Sequence, residues 1–338
     1  STVRGDFSFA PRDIAWGAGT MLLGNQVRVD RVAASWQLTS SAEEEDFPAI
    51  AQNGDDVWVS YVEFKHGDRS QAVQSLRAEP SSFSFLARPT GGDQVMLLHY
   101  SKSRRLWTGP MPASGAGEDI LRTAVAVDGR GRVWVFRALN LGGNFDIFAR
   151  YYSGGRWSSD MRLTFDPGTD LNPVAAVDTA GRVWLAWQGY RNGNLEILAS
   201  ALSGDVFTAE TILSVSPASD WDPAIAAAPN GEVAVAWDTY DKGDYDVAFR
   251  RLRFEQTVQA GVVTPAAVST AFEARPSIAY DPQGRLWIAY EYSSTQWGKD
   301  FGAYETTGVA LYQGHTARLR GFQGSDVLET AWPLHNVL

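Results

Sequence analysis

Four times along this chain a short apolar run follows a tight turn at almost constant spacing. Arg132-Val133-Trp134-Val135 recurs as Arg182-Val183-Trp184-Leu185, then as Glu232-Val233-Ala234-Val235, and more distantly as Arg285-Leu286-Trp287-Ile288, at intervals of 50, 50 and 53 residues. The turns are Asp128-Gly129-Arg130-Gly131, Asp178-Thr179-Ala180-Gly181, Pro229-Asn230-Gly231 and Asp281-Pro282-Gln283-Gly284. A repeated unit of this size, built of short strands, cannot bury its apolar faces alone and must stack on copies of itself. The predicted fold class is all-β: a β-propeller of four-stranded antiparallel blades.

One unit shows the blade. Within 118–171, strands are expected over Thr123–Val127, Val133–Ala138, Phe145–Tyr152 and Trp157–Thr164, divided by the Asp128 turn, by Gly142-Gly143-Asn144 and by Ser153-Gly154-Gly155. The next unit repeats them as Val174–Val177, Val183–Trp187, Leu195–Ala201 and Val206–Leu213. The second and third strands are nearly continuous in apolar residues, as befits a sheet covered on both faces. Blades are expected at 44–117, 118–171, 172–221, 222–273 and 274–334. Residues 1–43, with Val27-Arg28-Val29 and Trp36-Gln37-Leu38-Thr39, match the outer half of a unit and are expected to contribute to a closing blade. The expectation is one domain of six blades, with five and seven as alternatives.

The first and last units carry inserts, 64–94 and 293–313, both between the second and third strands. In an antiparallel meander that connection lies at the same end as the entry to strand one, opposite the Asp-x-x-Gly turns. Both inserts and every blade entry therefore crowd one face, where binding or catalysis is expected.

Lys and Arg total 29 against 39 Asp and Glu, a net charge of −10. Such a field repels a polyanion, so no nucleic acid partner is expected. No apolar run is long enough for a membrane helix, and none is expected to engage a membrane. The chain has no cysteine, which removes disulfides and thiolate chemistry. The four histidines, at 66, 99, 315 and 335, show no metal spacing, so no metal site is assigned. The first residues are not a signal peptide and the chain does not start at Met; with no cysteine present, export to the periplasm or the medium is the expectation.

Carboxylates at the candidate face fall into two kinds. Asp46, Asp170, Asp220 and Glu273 before strand one, and Asp146, Glu196 and Asp246 at the start of strand three, recur with the blades and are read as structural turn acceptors. At the end of strand two the residue changes instead: Val62 or Glu63, Ala138, Gln188, Asp238, Glu291. Variation on a fixed scaffold is what a ligand site around a channel looks like, and equally what an unconstrained rim looks like. In the last insert Trp297, Lys299 and Asp300, flanked by Tyr292, Tyr304 and Tyr312, present an aromatic face beside polar groups, suited to a sugar; the plainer reading has Trp297 capping the blade. His66, Asp68 and Arg69 in the first insert form a candidate acid/base trio or a solvated loop. Asp166–Asp170 and Asp241–Asp246 offer oxygen ligands for Ca²⁺, but without the spacing of a helix-loop-helix site, and no cofactor is assigned.

The run from Pro173 to Ile197, with Gly181-Arg182-Val183-Trp184-Leu185-Ala186-Trp187 at its centre, resembles the blades of TolB-like six-bladed propellers of exported bacterial proteins over about 44–290. The last blade, with Trp297–Gly302 and Gly308–Tyr312, is similar to propeller modules that precede a metal-dependent hydrolase-like domain of uncharacterised activity; this implies an attached or partner domain beyond Leu338. Against the propeller sialidases, the Ser-x-Asp-x-Gly-x-Thr-Trp turn is missing: Ser153-Gly154-Gly155-Arg156-Trp157 comes nearest and lacks the Asp.

The function expected from these residues is a binding or interaction module for carbohydrate or a protein segment, with Trp297, Lys299, Asp300, Tyr292, Tyr304, Gln188 and His66 at the ligand face. The alternative is a polysaccharide hydrolase or lyase in which Glu63, Asp238 and Glu291 supply acid/base groups.

Overall fold

The computed structural model describes residues 2–4, 18–23, 26–31, 37–66, 91–293 and 316–329. The described chain is all strand and turn, and it is a β-propeller. Five antiparallel blades follow one another. The first contains β4 (Glu44–Asn53), β5 (Asp56–Lys65), β6 (Gly92–Ser101) and β7 (Leu106–Pro112). The second contains β8 (Ile120–Val127), β9 (Val133–Leu141), β10 (Asn144–Ser153), β11 (Arg156–Trp157) and β12 (Met161–Arg162). The third contains β13 (Asp170–Val177), β14 (Val183–Arg191), β15 (Asn194–Ser203), β16 (Val206–Phe207) and β17 (Thr211–Ile212). The fourth holds β18 (Asp220–Ala227), β19 (Val233–Thr239), β20 (Asp246–Glu255) and β21 (Thr257–Ala267), and the fifth β22 (Phe272–Tyr280), β23 (Leu286–Ser293), β24 (Thr316–Gln323) and β25 (Asp326–Glu329). Before them, β1 (Thr2–Arg4), β2 (Ala18–Leu23) and β3 (Gln26–Arg31) make a three-stranded sheet in the order β1-β3-β2.

The strands lie where the repeat puts them, with one systematic difference. The fourth strands of the second and third blades are each broken in two. There the hydroxyl of Ser158 accepts the N–H of Tyr151 at 3.0 Å, and that of Thr208 accepts the N–H of Ala201 at 3.2 Å. A side-chain oxygen thus substitutes for a backbone carbonyl and interrupts the ladder.

The core is layered between blades. Trp134, Phe136 and Ile147 of the second blade pack with Leu185, Trp187 and Leu198 of the third; Trp184 and Ile197 of the third pack with Val235 and Trp237 of the fourth. These sheets are therefore apolar on both faces, which is why β9, β14 and β19 read as nearly continuous apolar runs.

The turns at the lower end hold the tryptophans. The Nε1–H of Trp134 donates to Asp128 at 2.9 Å, and Trp184 to Asp178 and Trp287 to Asp281 do the same at 2.9 Å. Each turn closes on a left-handed glycine, φ 76° at Gly131 and 75° at Gly181. In the fourth blade both partners are lost together, Ala228 standing for the Asp and Ala234 for the Trp.

Candidate functional site at the channel mouth

The inner strands β4, β8, β13, β18 and β22 pack side by side in chain order. Each is bulged near its start, between Asp46 and Ala49, Ile120 and Thr123, Leu171 and Val174, Trp221 and Ala224, and Ala274 and Ser277. In four blades the bulge is a non-glycine residue at positive φ followed by proline: Phe47 (54°), Asn172 (51°), Asp222 (46°) and Arg275 (52°). Proline in a strand belongs at such a bulge, having no N–H for the ladder. Left-handed backbone at a non-glycine residue stores roughly 1–3 kcal/mol of strain, and bulges re-aim side chains. The second blade has Arg122 at the same place. One exposed or half-buried side chain per blade thus stands at the channel mouth: a phenylalanine, an asparagine, an aspartate and two arginines.

These side chains form three linked groups. The Arg122 guanidinium lies over the Phe47 ring, 5.2 Å from its centre. The Nδ2–H of Asn172 donates to Gln188 Oε1 at 2.8 Å and reaches Asp222 Oδ1 at 3.4 Å, while the N–H of Asp222 donates to the same Gln188 oxygen at 3.2 Å. The N–H of Arg275 approaches Asp238 Oδ2 at 3.4 Å, and its guanidinium pairs with Glu291.

Asp238 is 3% exposed, and its Oδ1 has no hydrogen-bond partner. Burial pushes its carboxyl up to about 8, and the charge of Asp222 adds to the effect; the N–H and charge of Arg275 oppose it only in part. At neutral pH Asp238 is mostly a protonated acid.

Register decides which expected residues share this mouth. Asp46 stands opposite Val62, as Leu171 opposes Gln188, Trp221 opposes Asp238 and Ala274 opposes Glu291. The first-blade member of the variable set is therefore Val62, buried at 4%. Glu63 opposes Glu45, in the same step as Gly189, Thr239 and Tyr292, and strand alternation turns it to the other side of its sheet from Asp238 and Glu291. Its charge acts on Tyr61 instead. The same count corrects Asp46: three residues before the bulge proline stand Glu45, Asp170, Asp220 and Glu273. The prolines carry the register, and the bulge residues that precede them are positions at the mouth that the sequence reading missed.

His66 is paired with glutamates rather than with its neighbours. Its Nδ1 lies 3.3 Å from Glu43 and its Nε2 3.1 Å from Glu44. Asp68, Arg69, Trp297, Lys299, Asp300, Tyr304 and Tyr312 lie outside the described residues. Tyr292 is half-buried, with the Arg318 guanidinium 3.2 Å from its ring centre.

The repeating carboxylates sit at blade junctions, in pairs around one hydroxyl residue: Asp146 and Asp170 at Thr164, Glu196 and Asp220 at Ser214, and Asp246 and Glu273 at Ser269, where Asp246 accepts the backbone N–H at 3.2 Å. They are buried but unequally partnered: Asp170 Oδ1 accepts from Trp187 Nε1 at 2.8 Å and Arg191 at 2.9 Å, whereas neither carboxylate oxygen of Asp220 has a hydrogen-bond partner. Burial is the leading cause in lifting Asp170 to about 6 and Asp220 to about 7. The oxygens offered for Ca²⁺ in 166–170 already have partners within the chain, Asp166 Oδ1 the Gly168 N–H at 2.7 Å and Asp170 the Arg191 guanidinium. Among the described residues no three His, Cys, Asp or Glu side chains converge as a metal site. No described helix is long and apolar enough to cross a membrane.

No family model matches this chain, and no curated protein does. Solved structures do. An ulvan lyase of polysaccharide lyase family 25, bound to -[GlcA(1-4)Rha3S]-, is 13% identical with a TM-score of 0.56 over 85% of this chain and 72% of the lyase. A protein of unknown function from Dyadobacter fermentans is 12% identical with a TM-score of 0.53, over 82% of this chain and 79% of its own. A thermostable family-43 glycoside hydrolase is 10% identical with a TM-score of 0.45, over 87% and 95%. At these identities the likeness is one of fold, and the fold is the propeller.

Proposed function

We propose that this chain is a carbohydrate-active propeller that takes a polysaccharide at the channel mouth and cleaves it with Asp238 as proton donor. The observation that carries the reading is Asp238 itself: a carboxyl lifted to about 8 by burial and by Asp222, beside the Arg275–Glu291 ion pair. Two carboxyl groups in contrasting surroundings are the arrangement used for acid and base in glycoside cleavage. In that scheme Asp238 gives its proton to the leaving oxygen, and Glu291 takes one from the incoming water or from the sugar ring. Asn172, Gln188 and Arg122 would hold hydroxyl or acidic groups of the chain in place. The carbohydrate theme is supported by the lyase that shares the fold. A polysaccharide is too large to enter a cell, so export of the protein belongs to the same proposal.

Binding without turnover is the second reading, favoured by the burial of Asp238, which leaves 3% of the residue exposed. Reducing-end release and unsaturated-product absorbance, measured on a panel of plant and algal polysaccharides, separate the two. Under the enzyme reading a substrate is found and Asp238→Asn lowers kcat by about 10²-fold or more with KM little changed. Retained turnover in Asp238→Asn would reject Asp238 as the acid. Saturable binding of a polysaccharide by a protein that releases no product from it would select the binding module.

A further inference from the structure

A second cleft, of about 540 Å³, lies between the second and third blades outside the inner strands. Its volume falls within the range of small-molecule sites, roughly 300–1,000 Å³. The floor is Leu185 and Trp187 of β14, both buried. One wall is Phe207, set edge-on against Trp134 at 5.6 Å and Phe136 at 5.8 Å, with Val206 beside it, 71% exposed. The opposite lip is Phe165, whose ring is left 69% exposed with the Arg162 guanidinium 4.9 Å from its centre.

The polar groups at this cleft are held by neighbours that fix their direction. Arg162 donates to Asp146 at 2.8 Å and to the Thr164 carbonyl at 3.0 Å. Glu210 takes both arms of Arg191, at 2.9 and 2.8 Å, and Asp166 lies 3.6 Å from the same guanidinium. Each of these two carboxylates stays more than a third exposed, so oxygen lone pairs remain open to the cleft. The lining carries one cation, Arg162, against two anions, Asp166 and Glu210, and the cation is already matched by Asp146. An anionic ligand is disfavoured there.

The repeat shows that this chemistry is not required by the blade. Fifty residues on, Arg162, Phe165 and Asp166 are matched by Ile212, Val215 and Ser216. The next junction keeps the strand geometry without the aromatic, the cation or the acid.

We infer that this cleft is a binding site for a neutral saccharide, with Phe165 and Phe207 against the apolar ring faces and Asp166 and Glu210 accepting from hydroxyls. It stands apart from the channel mouth and shares with it only the class of ligand. The test is calorimetric titration of the full chain with cellohexaose, xylohexaose and mannohexaose, and with hexagalacturonate as the anionic comparison. The expected result is binding of at least one neutral hexaose, weakened about tenfold or more in Phe165→Ala and unchanged in Asp238→Asn. Phe165 is a surface side chain, and an unaltered melting temperature verifies that the variant is folded. No binding of the three neutral hexaoses at about 10 mM, a preference for hexagalacturonate, or binding indifferent to Phe165→Ala would each overturn the inference. Binding lost in Asp238→Asn but kept in Phe165→Ala assigns the saccharide to the channel mouth alone and leaves the proposed function standing.

Discussion

The N–H of Gly129 donates to the carbonyl of Gly181 at 2.8 Å, joining the lower turns of two successive blades by backbone alone. A Cβ on Gly181 would stand 2.4 Å from the Gly129 Cα, and Gly181 has a φ of 75°. Neither glycine has a side chain that could yield. Gly181→Ala is expected to cost about 3 kcal/mol, from the clash and the left-handed backbone together. Equilibrium urea unfolding measures it, and a loss below about 1 kcal/mol would show that the blades shift apart freely here.

Asp222 is held at a φ of 46° beside the buried Asp238. Asp222→Gly should raise stability by about 1 kcal/mol through relief of the left-handed strain. The same change removes the charge that helps lift Asp238, so the Asp238 carboxyl should titrate lower, as followed by carbonyl ¹³C NMR. An unchanged Asp238 titration would mean that burial alone sets it.

Stability should fall as pH rises from about 5 to about 9. Asp170, Asp220 and Asp238 stand at about 6, 7 and 8 in the folded chain. In the unfolded chain an Asp titrates near 3.9. The folded protein therefore holds more protons than the unfolded one between those limits, and ionising the buried groups costs stability as the pH climbs. Asp281 acts oppositely: held at about 2 by its Trp287, Arg285 and backbone hydrogen bonds, it contributes above pH 4 and is lost as pH falls toward 2. Thermal melts should give a higher Tm near pH 5.5 than near pH 9, by ~5 °C or more. A flat profile would contradict the protonated junctions.

Arg137 is 2% exposed in its side chain, yet it carries Glu118 at 2.7 Å and Asp160 at 2.9 Å. It also lies over the Phe148 ring. Arg137→Met keeps the apolar stem and leaves both carboxylates without their cation, at an expected cost of about 3 kcal/mol. Replacing Glu118 and Asp160 by Gln and Asn in the same variant should recover part of that loss; no recovery in a double-mutant cycle would locate the effect in packing.

Much of the architecture was open to reading because it is local and repeated. The Asp-x-x-Gly turns, the apolar runs on either side and the placement of both inserts between second and third strands all follow from residue type and spacing. Asp238, Gln188 and Glu291 were legible as a set because the residue at the end of strand two varies while its surroundings do not. Glu63 was misplaced by a single residue, and in a strand one residue is the difference between the two faces. The X-Pro pairs at 47–48, 172–173, 222–223 and 275–276 were in plain view, but a residue before proline is ordinarily extended. The inner-strand bulge, not the dipeptide, turns Phe47, Asn172, Asp222 and Arg275 left-handed into the mouth.

By itself the sequence determined the unit, its four strands and its stacking, because turn chemistry and apolar periodicity act over a few residues and are copied from blade to blade. Only the tertiary structure decided that His66 answers to Glu43 and Glu44, that Asp146 and Asp170 meet near Thr164 across a junction, and that Phe165 and Phe207 face a common cleft. Those partners are some 20 to 40 residues apart and belong to different strands or blades. Their meeting depends on register and blade packing, which are set by the summed burial of whole sheets rather than by the residues that meet.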